Sequence, residues 1–266
     1  MTHHPVRLIA TDVDGTLLRD DATISATTSA ILQRIAAAGI PFVLVTARPP
    51  RSLRLVADQL GITGVGICCN GALVYDLDHD RIVQHRAIAP ADALAFAMRL
   101  RAIAPAVTFA CEAGLHYGCE PRFVELRPGA LFSGAWRADV AALCAQPVTK
   151  LMALHPTHSA AELLALANEL AATTVTCTRS DLPFIEISAA GVDKGSTLAA
   201  YCGSLGIAAA NVVAFGDMPN DIPMLTWAGR GVAVANADPL VLASADMVTL
   251  ANNADGVASM LTTLLA

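Results

Sequence analysis

The sequence has few lysines, few aromatic residues, no basic run and no pair of cysteines at redox or metal-binding spacing. Lysine occurs only at Lys150 and Lys194, aromatic residues make up 5% of the chain, and the formal net charge is -6. Without clustered Lys or Arg there is no electrostatic footprint for nucleic acid or an anionic membrane surface. The seven cysteines run from Cys68 to Cys202 without a CxxC motif, and their number is odd. That pattern fits reduced thiols used as small apolar residues rather than a disulfide framework. Long apolar runs are also missing. LAAYCGSLGIAAANVVAFG is interrupted by Ser204, Asn211 and several glycines, which reads as helix, turn and strand rather than a membrane span. The opening MTHHPVRLIATD has no apolar signal-peptide core. A cytoplasmic protein with a small, mobile substrate is expected, with no nucleic-acid or membrane partner; oligomeric state is not legible.

What is present is alanine-rich and 55% hydrophobic, a composition suited to helices packed closely on a sheet. VRLIATD reads as a buried strand ending at Asp12. SATTSAILQRIAAAG has helical spacing and stops at Gly39, IPFVLVTAR is a second strand, and RSLRLVADQLG is a helix closed by Gly61. VGICCNGALVYD reads as strand, turn at Asn70-Gly71, and strand. The rhythm returns in DKGSTLAAYCGSLG, NVVAFGD, DIPMLTWAG, GVAVANA, ADMVTL and DGVASMLTTLL. Alternating strands and helices predict a parallel sheet covered on both faces, with ligands at the carboxyl ends of its strands. Asp12, Thr46 with Arg48, and Asp217 each follow a predicted strand.

The middle of the chain breaks this pattern. Two helical stretches, ADALAFAMRLRAIA and SAAELLALANELAA, lie among short strand candidates AVTFACE, KLMALH, TVTCTRS and FIEISA. A segment of that length is too long for a loop. It is expected to be an inserted α+β domain, residues 84–190, with joints near 81–85 and 189–193, between the two parts of a core at 1–83 and 191–266.

Phosphate monoester hydrolysis requires a cation and donors around the transferring oxygens, a nucleophile, and an acid for the leaving group. The chain offers a candidate for each part. Asp12 ends a strand, and Asp14 lies two residues on, across a turn that Gly15 permits. Thr46 and Lys194 are donors for phosphoryl oxygens, while Asp217 and Asp221 in GDMPND are carboxylates for a hard cation such as Mg²⁺. Taken singly, each has an ordinary alternative: a polar turn for the two acids, a solvated helix-start lysine, a plain hairpin at Asn70-Gly71, a surface ion pair for Arg48.

Four signatures in order carry a family resemblance: DVDGT (Asp12, Asp14, Thr16), VTAR (Thr46, Arg48), DKG (Lys194) and GDMPND (Gly216, Asp217, Asn220, Asp221), joined by CNGA (Asn70, Gly71). The chain resembles the haloacid dehalogenase superfamily of phosphatases, on the Cof-like branch with a type-two cap. The resemblance implies an α/β, Rossmannoid parallel-sheet core with an inserted α+β cap that sets substrate specificity. It implies Asp12 as nucleophile and Asp14 as general acid/base. Mg²⁺ would be held by the Asp12 carboxylate, the Asp14 backbone carbonyl and Asp217, with Asp221 and Asn220 in support. It also implies that Thr46 and Lys194 bind the phosphoryl group, and that Arg48, Asn70, Gly71 and Asn220 belong to the substrate region. The sequence departs from the family's commoner TGR form at Ala47, which affects the pose of Arg48.

The expected activity is hydrolysis of a small phosphorylated metabolite, a sugar phosphate or phosphorylated cofactor, through an aspartyl-phosphate. Alternatives are a phosphomutase of the same superfamily, a phosphoacceptor receiver domain, and a non-catalytic metabolite sensor. A mutase needs a dense cationic cluster for a second phosphate, and the arginines at 86, 99, 101, 122, 127, 137 and 179 form no run. A receiver domain would be about half this length.

Overall fold

The computed structural model describes residues 5–130, 134–171, 173–180 and 182–265. The first four residues of the opening MTHHPVRLIATD and the last residue of the expected helix over 159–172 lie outside them. The chain separates into two units, one running to Val83 and resuming at Lys194, the other spanning Gln84–Asp193.

The first unit begins with β1 (Leu8–Thr11), whose four residues are all buried, as in a strand covered on both faces. Helix α1 (Ala26–Ala37) starts where the Ser25 hydroxyl accepts from the Thr28 N–H, and it buries Ile31, Leu32 and Ile35. β2 (Phe42–Val45) follows, then α2 (Pro50–Leu60), which opens on a proline and closes on Gly61 in the left-handed conformation. β3 (Val65–Cys68), β4 (Leu73–Asp76) and β5 (Arg81–His85) complete this half.

The second unit contains α3 (Pro90–Ile103), β6 (Thr108–Ala113), β7 (His116–Cys119), α4 (Pro121–Leu126), β8 (Trp136–Arg137), α5 (Val140–Leu143), β9 (Lys150–Leu154), α6 (Ala160–Leu170), β10 (Val175–Arg179) and β11 (Ile185–Ala189). Its six-stranded sheet has the order β10-β11-β9-β6-β7-β8. One sheet face packs Cys111, Leu151, Ile185 and Ile187 against Phe96, Leu100 and Leu163 from α3 and α6. The four strand candidates and both helices expected here are present. β7, β8, α4 and α5 have no counterpart among the expected elements; they are short and fixed by packing rather than by periodicity.

The chain returns with α7 (Lys194–Ser204), β12 (Val212–Gly216), α8 (Ile222–Trp227), β13 (Arg230–Ala233), α9 (Pro239–Ser244), β14 (Met247–Val248) and α10 (Gly256–Leu264). The expected strands GVAVANA and ADMVTL are thus shorter than their apolar runs. The eight-stranded sheet has the order β14-β13-β12-β1-β2-β3-β4-β5. β1 pairs in parallel with β12 on one side and β2 on the other, and β3 turns back antiparallel into β4. The chain therefore leaves β1 for opposite sides of the sheet, which makes the carboxyl end of β1 the topological switch point where α/β sheets bind ligands. Among the described residues no helix is long and apolar enough to cross a membrane.

Candidate active site

Four loops of the first unit meet at that switch point. Asp12 follows β1, with its backbone N–H donating to Phe215 O at 2.9 Å, so the neighbouring strand β12 fixes its position. Lys194, the first residue of α7, is buried and donates from Nζ to Asp12 Oδ1 and to Asp221 Oδ1, each at 2.6 Å. Asp221 is fully buried, and its Oδ2 accepts from the Asp217 and Met218 N–H groups, each at 3.0 Å. Thr16 Oγ1 donates to Asp217 Oδ1 at 2.7 Å. The structure thus brings together Asp12, Asp217, Asp221 and Lys194, which are scattered in sequence.

The turn after Asp12 depends on Gly15. Its φ is +74°, and a Cβ there would lie 2.4 Å from Asp217 Oδ2. Glycine meets both constraints: it adopts the left-handed backbone freely and leaves room for the carboxylate. Asn236 Nδ2 donates to Gly15 O at 2.8 Å and braces the turn from outside. Asp14 is carried on this turn, and its carboxylate faces Arg48, with Nε donating to Oδ2 at 2.7 Å and Nη2 to Oδ1 at 2.5 Å. Arg48 is therefore in an ion pair, the ordinary alternative its sequence allows, and the structure identifies Asp14 as the partner.

Thr46 follows β2, and its buried Oγ1 accepts from the Arg48 N–H at 3.1 Å. The hydroxyl hydrogen has no acceptor among the described residues. Asn70 lies at the tip of β3 in a left-handed conformation (φ 56°), preceded by Cys69 with φ 52° and followed by Gly71 with φ 98°. Three successive positive φ values, two at non-glycine residues, form a constrained turn rather than a simple hairpin. Its supports are Cys69 N–H to Arg48 O, Asn70 N–H to Thr46 O, and Thr197 Oγ1 to Gly71 O. Asn220 Nδ2 donates to Asn70 Oδ1 at 3.0 Å, and the buried Asn220 Oδ1 has no hydrogen-bond partner among the described residues. In the sequence Thr16 stands in a motif without an assigned role, and nothing marks Thr197 or Asn236. A threonine or asparagine that braces a distant carbonyl carries no spacing signal.

Burial pushes the Asp12 carboxyl well above the usual carboxylate range. Lys194 opposes this, while the charges of Asp221 and Asp217 reinforce it. Burial also disfavours the Lys194 ammonium, but the pull of Asp12 and Asp221 outweighs it and leaves the lysine more firmly protonated than a free one. Ligand oxygens of Asp12, Asp217 and Asp221 lie within 4.8 Å of one another. This all-oxygen, all-carboxylate set suits a hard divalent cation, and the crowding that lifts Asp12 is what such a cation would relieve.

A sequence profile of haloacid dehalogenase-like hydrolases matches residues 9–261. The chain belongs to that family. It stands on the Cof-like branch, and it is similar to a pyridoxal phosphate phosphatase of Escherichia coli, YbhA, at 30% identity over 96% of this chain and 97% of the relative. The 5-amino-6-(5-phospho-D-ribitylamino)uracil phosphatase YitU of Bacillus subtilis is 28% identical over 96% of each chain. Among solved structures, a haloacid dehalogenase-like hydrolase from Bacteroides thetaiotaomicron superposes with TM-score 0.80 at 26% identity, covering 97% of this chain and 99% of that one. The present family member is an enzyme of the phosphoric monoester hydrolase class.

Proposed function

We propose that this family member hydrolyses small phosphorylated metabolites in the cytoplasm by a Mg²⁺-assisted mechanism through an aspartyl-phosphate on Asp12. The observation that carries this reading is the buried Lys194 bridging Asp12 and Asp221 beside Asp217. A carboxylate pinned by one oxygen to an ammonium is oriented for attack with the other. Asp12, Asp217 and the Asp14 backbone carbonyl would hold Mg²⁺, with Asp221 in support; when bound, the ion neutralises charge on the phosphoryl group and on Asp12.

The chain's own groups then account for two displacements at phosphorus. In the first, an Asp12 oxygen bonds to phosphorus as the ester bond breaks, and Asp14 gives its proton to the departing alkoxide. In the second, Asp14 takes a proton from water, whose oxygen bonds to phosphorus while the Asp12–phosphorus bond breaks and phosphate leaves. Lys194 and the free Thr46 hydroxyl hydrogen are donors to the phosphoryl oxygens, and the unpartnered Asn220 Oδ1 is an acceptor at the edge of the site. The inserted unit sets substrate specificity in this reading. Pyridoxal phosphate and the ribitylaminouracil phosphate named for two relatives are both small phosphomonoesters, the class proposed here. None of the seven cysteines is in a disulfide, which supports a reducing compartment.

Phosphate release from p-nitrophenyl phosphate, measured with and without Mg²⁺, tests the proposal. Turnover that needs Mg²⁺ and disappears in Asp12→Asn is expected, and undiminished turnover in Asp12→Asn would overturn it. With a hexose phosphate, which carries a second hydroxyl to receive the phosphoryl group, isomerised product without free phosphate would point to the mutase instead.

A further inference from the structure

The loop between β13 and α9 touches the candidate site at two points. Asp238 N–H donates to Asp217 O at 2.8 Å, and Asn236 Nδ2 donates to Gly15 O, also at 2.8 Å. One short stretch, residues 234–238, therefore holds both Asp217 and the turn that bears Asp14.

Asn236 is exposed, and an asparagine between a strand and a helix is ordinarily a turn residue whose side chain bonds its own loop. Here both ends of the amide reach other segments instead. Nδ2 meets Gly15 O across 221 residues of sequence, and Oδ1 accepts from the Asn252 N–H at 2.9 Å across 16. Asn252 is buried, and its Nδ2 donates to Leu18 O and to Asp20 Oδ1, each at 3.0 Å. Turning the Asn236 amide over would set its two donors against the Asn252 N–H and its oxygen against the Gly15 carbonyl. The two bonds therefore fix its orientation.

The point of attachment matters more than its strength. Glycine has the widest choice of backbone conformation, and the φ of +74° at Gly15 is one option among several. A donor on its carbonyl selects that option. The residue before it, Asp14, carries the carboxyl proposed as proton donor, and the residue after it, Thr16, donates to Asp217 Oδ1. An exposed hydrogen bond adds little to global stability, but a misplacement of about 1 Å at a reacting group costs up to about a hundredfold in rate.

We infer that Asn236 is a positioning residue for the reaction, acting through the Gly15 carbonyl to hold Asp14 in place for proton transfer. The inference rests on the phosphatase reading. The role belongs to the Nδ2 donor, while the Oδ1 bond to Asn252 keeps the amide in its orientation.

The test measures kcat and KM for an alkyl phosphate and for p-nitrophenyl phosphate, whose leaving group needs little protonation. Asn236→Ala should lower kcat about tenfold on the alkyl ester and about threefold or less on p-nitrophenyl phosphate, with both KM values held within about twofold. Asn236→Asp keeps an acceptor for the Asn252 N–H and withdraws the donor from Gly15 O, so it should lose at least as much kcat on the alkyl ester. Should Asn236→Ala fail to fold by circular dichroism, Asn236→Asp carries the test alone. Equal losses on the two esters, a loss taken up in KM, or an Asn236→Asp enzyme with wild-type kcat overturns the inference while leaving the phosphatase reading intact. Wild-type protein that releases phosphate from neither ester overturns both.

Discussion

Arg48 grips Asp14 with two parallel hydrogen bonds, Nε to Oδ2 at 2.7 Å and Nη2 to Oδ1 at 2.5 Å, across 34 residues of sequence. The fork geometry fixes the carboxylate in two directions, which a single ammonium would not do. If Asp14 supplies the leaving-group proton, Arg48→Ala should slow esters with poor leaving groups most. Alkyl phosphates should lose about tenfold more kcat than p-nitrophenyl phosphate, whose leaving group needs little protonation. Arg48→Lys should restore only part of the difference. Equal losses on both esters would show that Arg48 acts on something other than Asp14.

Much of the frame behind this pair is legible in sequence because it rests on burial and strand ends. The runs LIAT, FVLV and VVAFG are β1, β2 and β12, and Asp12, Thr46 and Asp217 follow their ends. The Arg48–Asp14 contact is not legible, since it depends on the backbone path through Gly15 and on β2 lying beside β1. The same holds for Asn70: Asn-Gly signals a tight turn, but nothing local requires Cys69 and Asn70 to share positive φ. That conformation is held by long-range bonds to Thr46 and Arg48. In the inserted unit, α3 and α6 are visible from their apolar spacing, whereas two-residue β8 and four-residue α5 are products of packing.

The carboxylates of Asp12, Asp217 and Asp221 predict a metal-linked gain in stability. Mg²⁺ at about one hundred times its dissociation constant should stabilise the folded enzyme by about 2.7 kcal/mol, and EDTA should remove the gain. Differential scanning fluorimetry should show a rise in Tm of several degrees. Asp217→Asn should lose most of that rise while remaining folded. A Tm indifferent to Mg²⁺ in the wild type would contradict the assignment of a metal to this cluster.

Gly15→Ala tests the turn. With φ at +74° and the added Cβ 2.4 Å from Asp217 Oδ2, the variant must strain its backbone and displace a candidate metal ligand. The backbone term is about 1–2 kcal/mol, to be read from urea unfolding. The activity loss should exceed what that destabilisation explains, about a hundredfold in kcat under conditions where the variant is folded. A variant destabilised by this amount yet fully active would show that the turn does not position the chemistry.

Trapping the covalent intermediate decides whether Asp12 is the nucleophile. Enzyme turning over a phosphomonoester with Mg²⁺ is quenched in acid and digested, and its peptides are weighed by mass spectrometry. One added phosphoryl group is expected on the peptide bearing Asp12, absent in Asp12→Asn. A phosphoryl group on any other residue, or rapid turnover by Asp12→Asn, would contradict it.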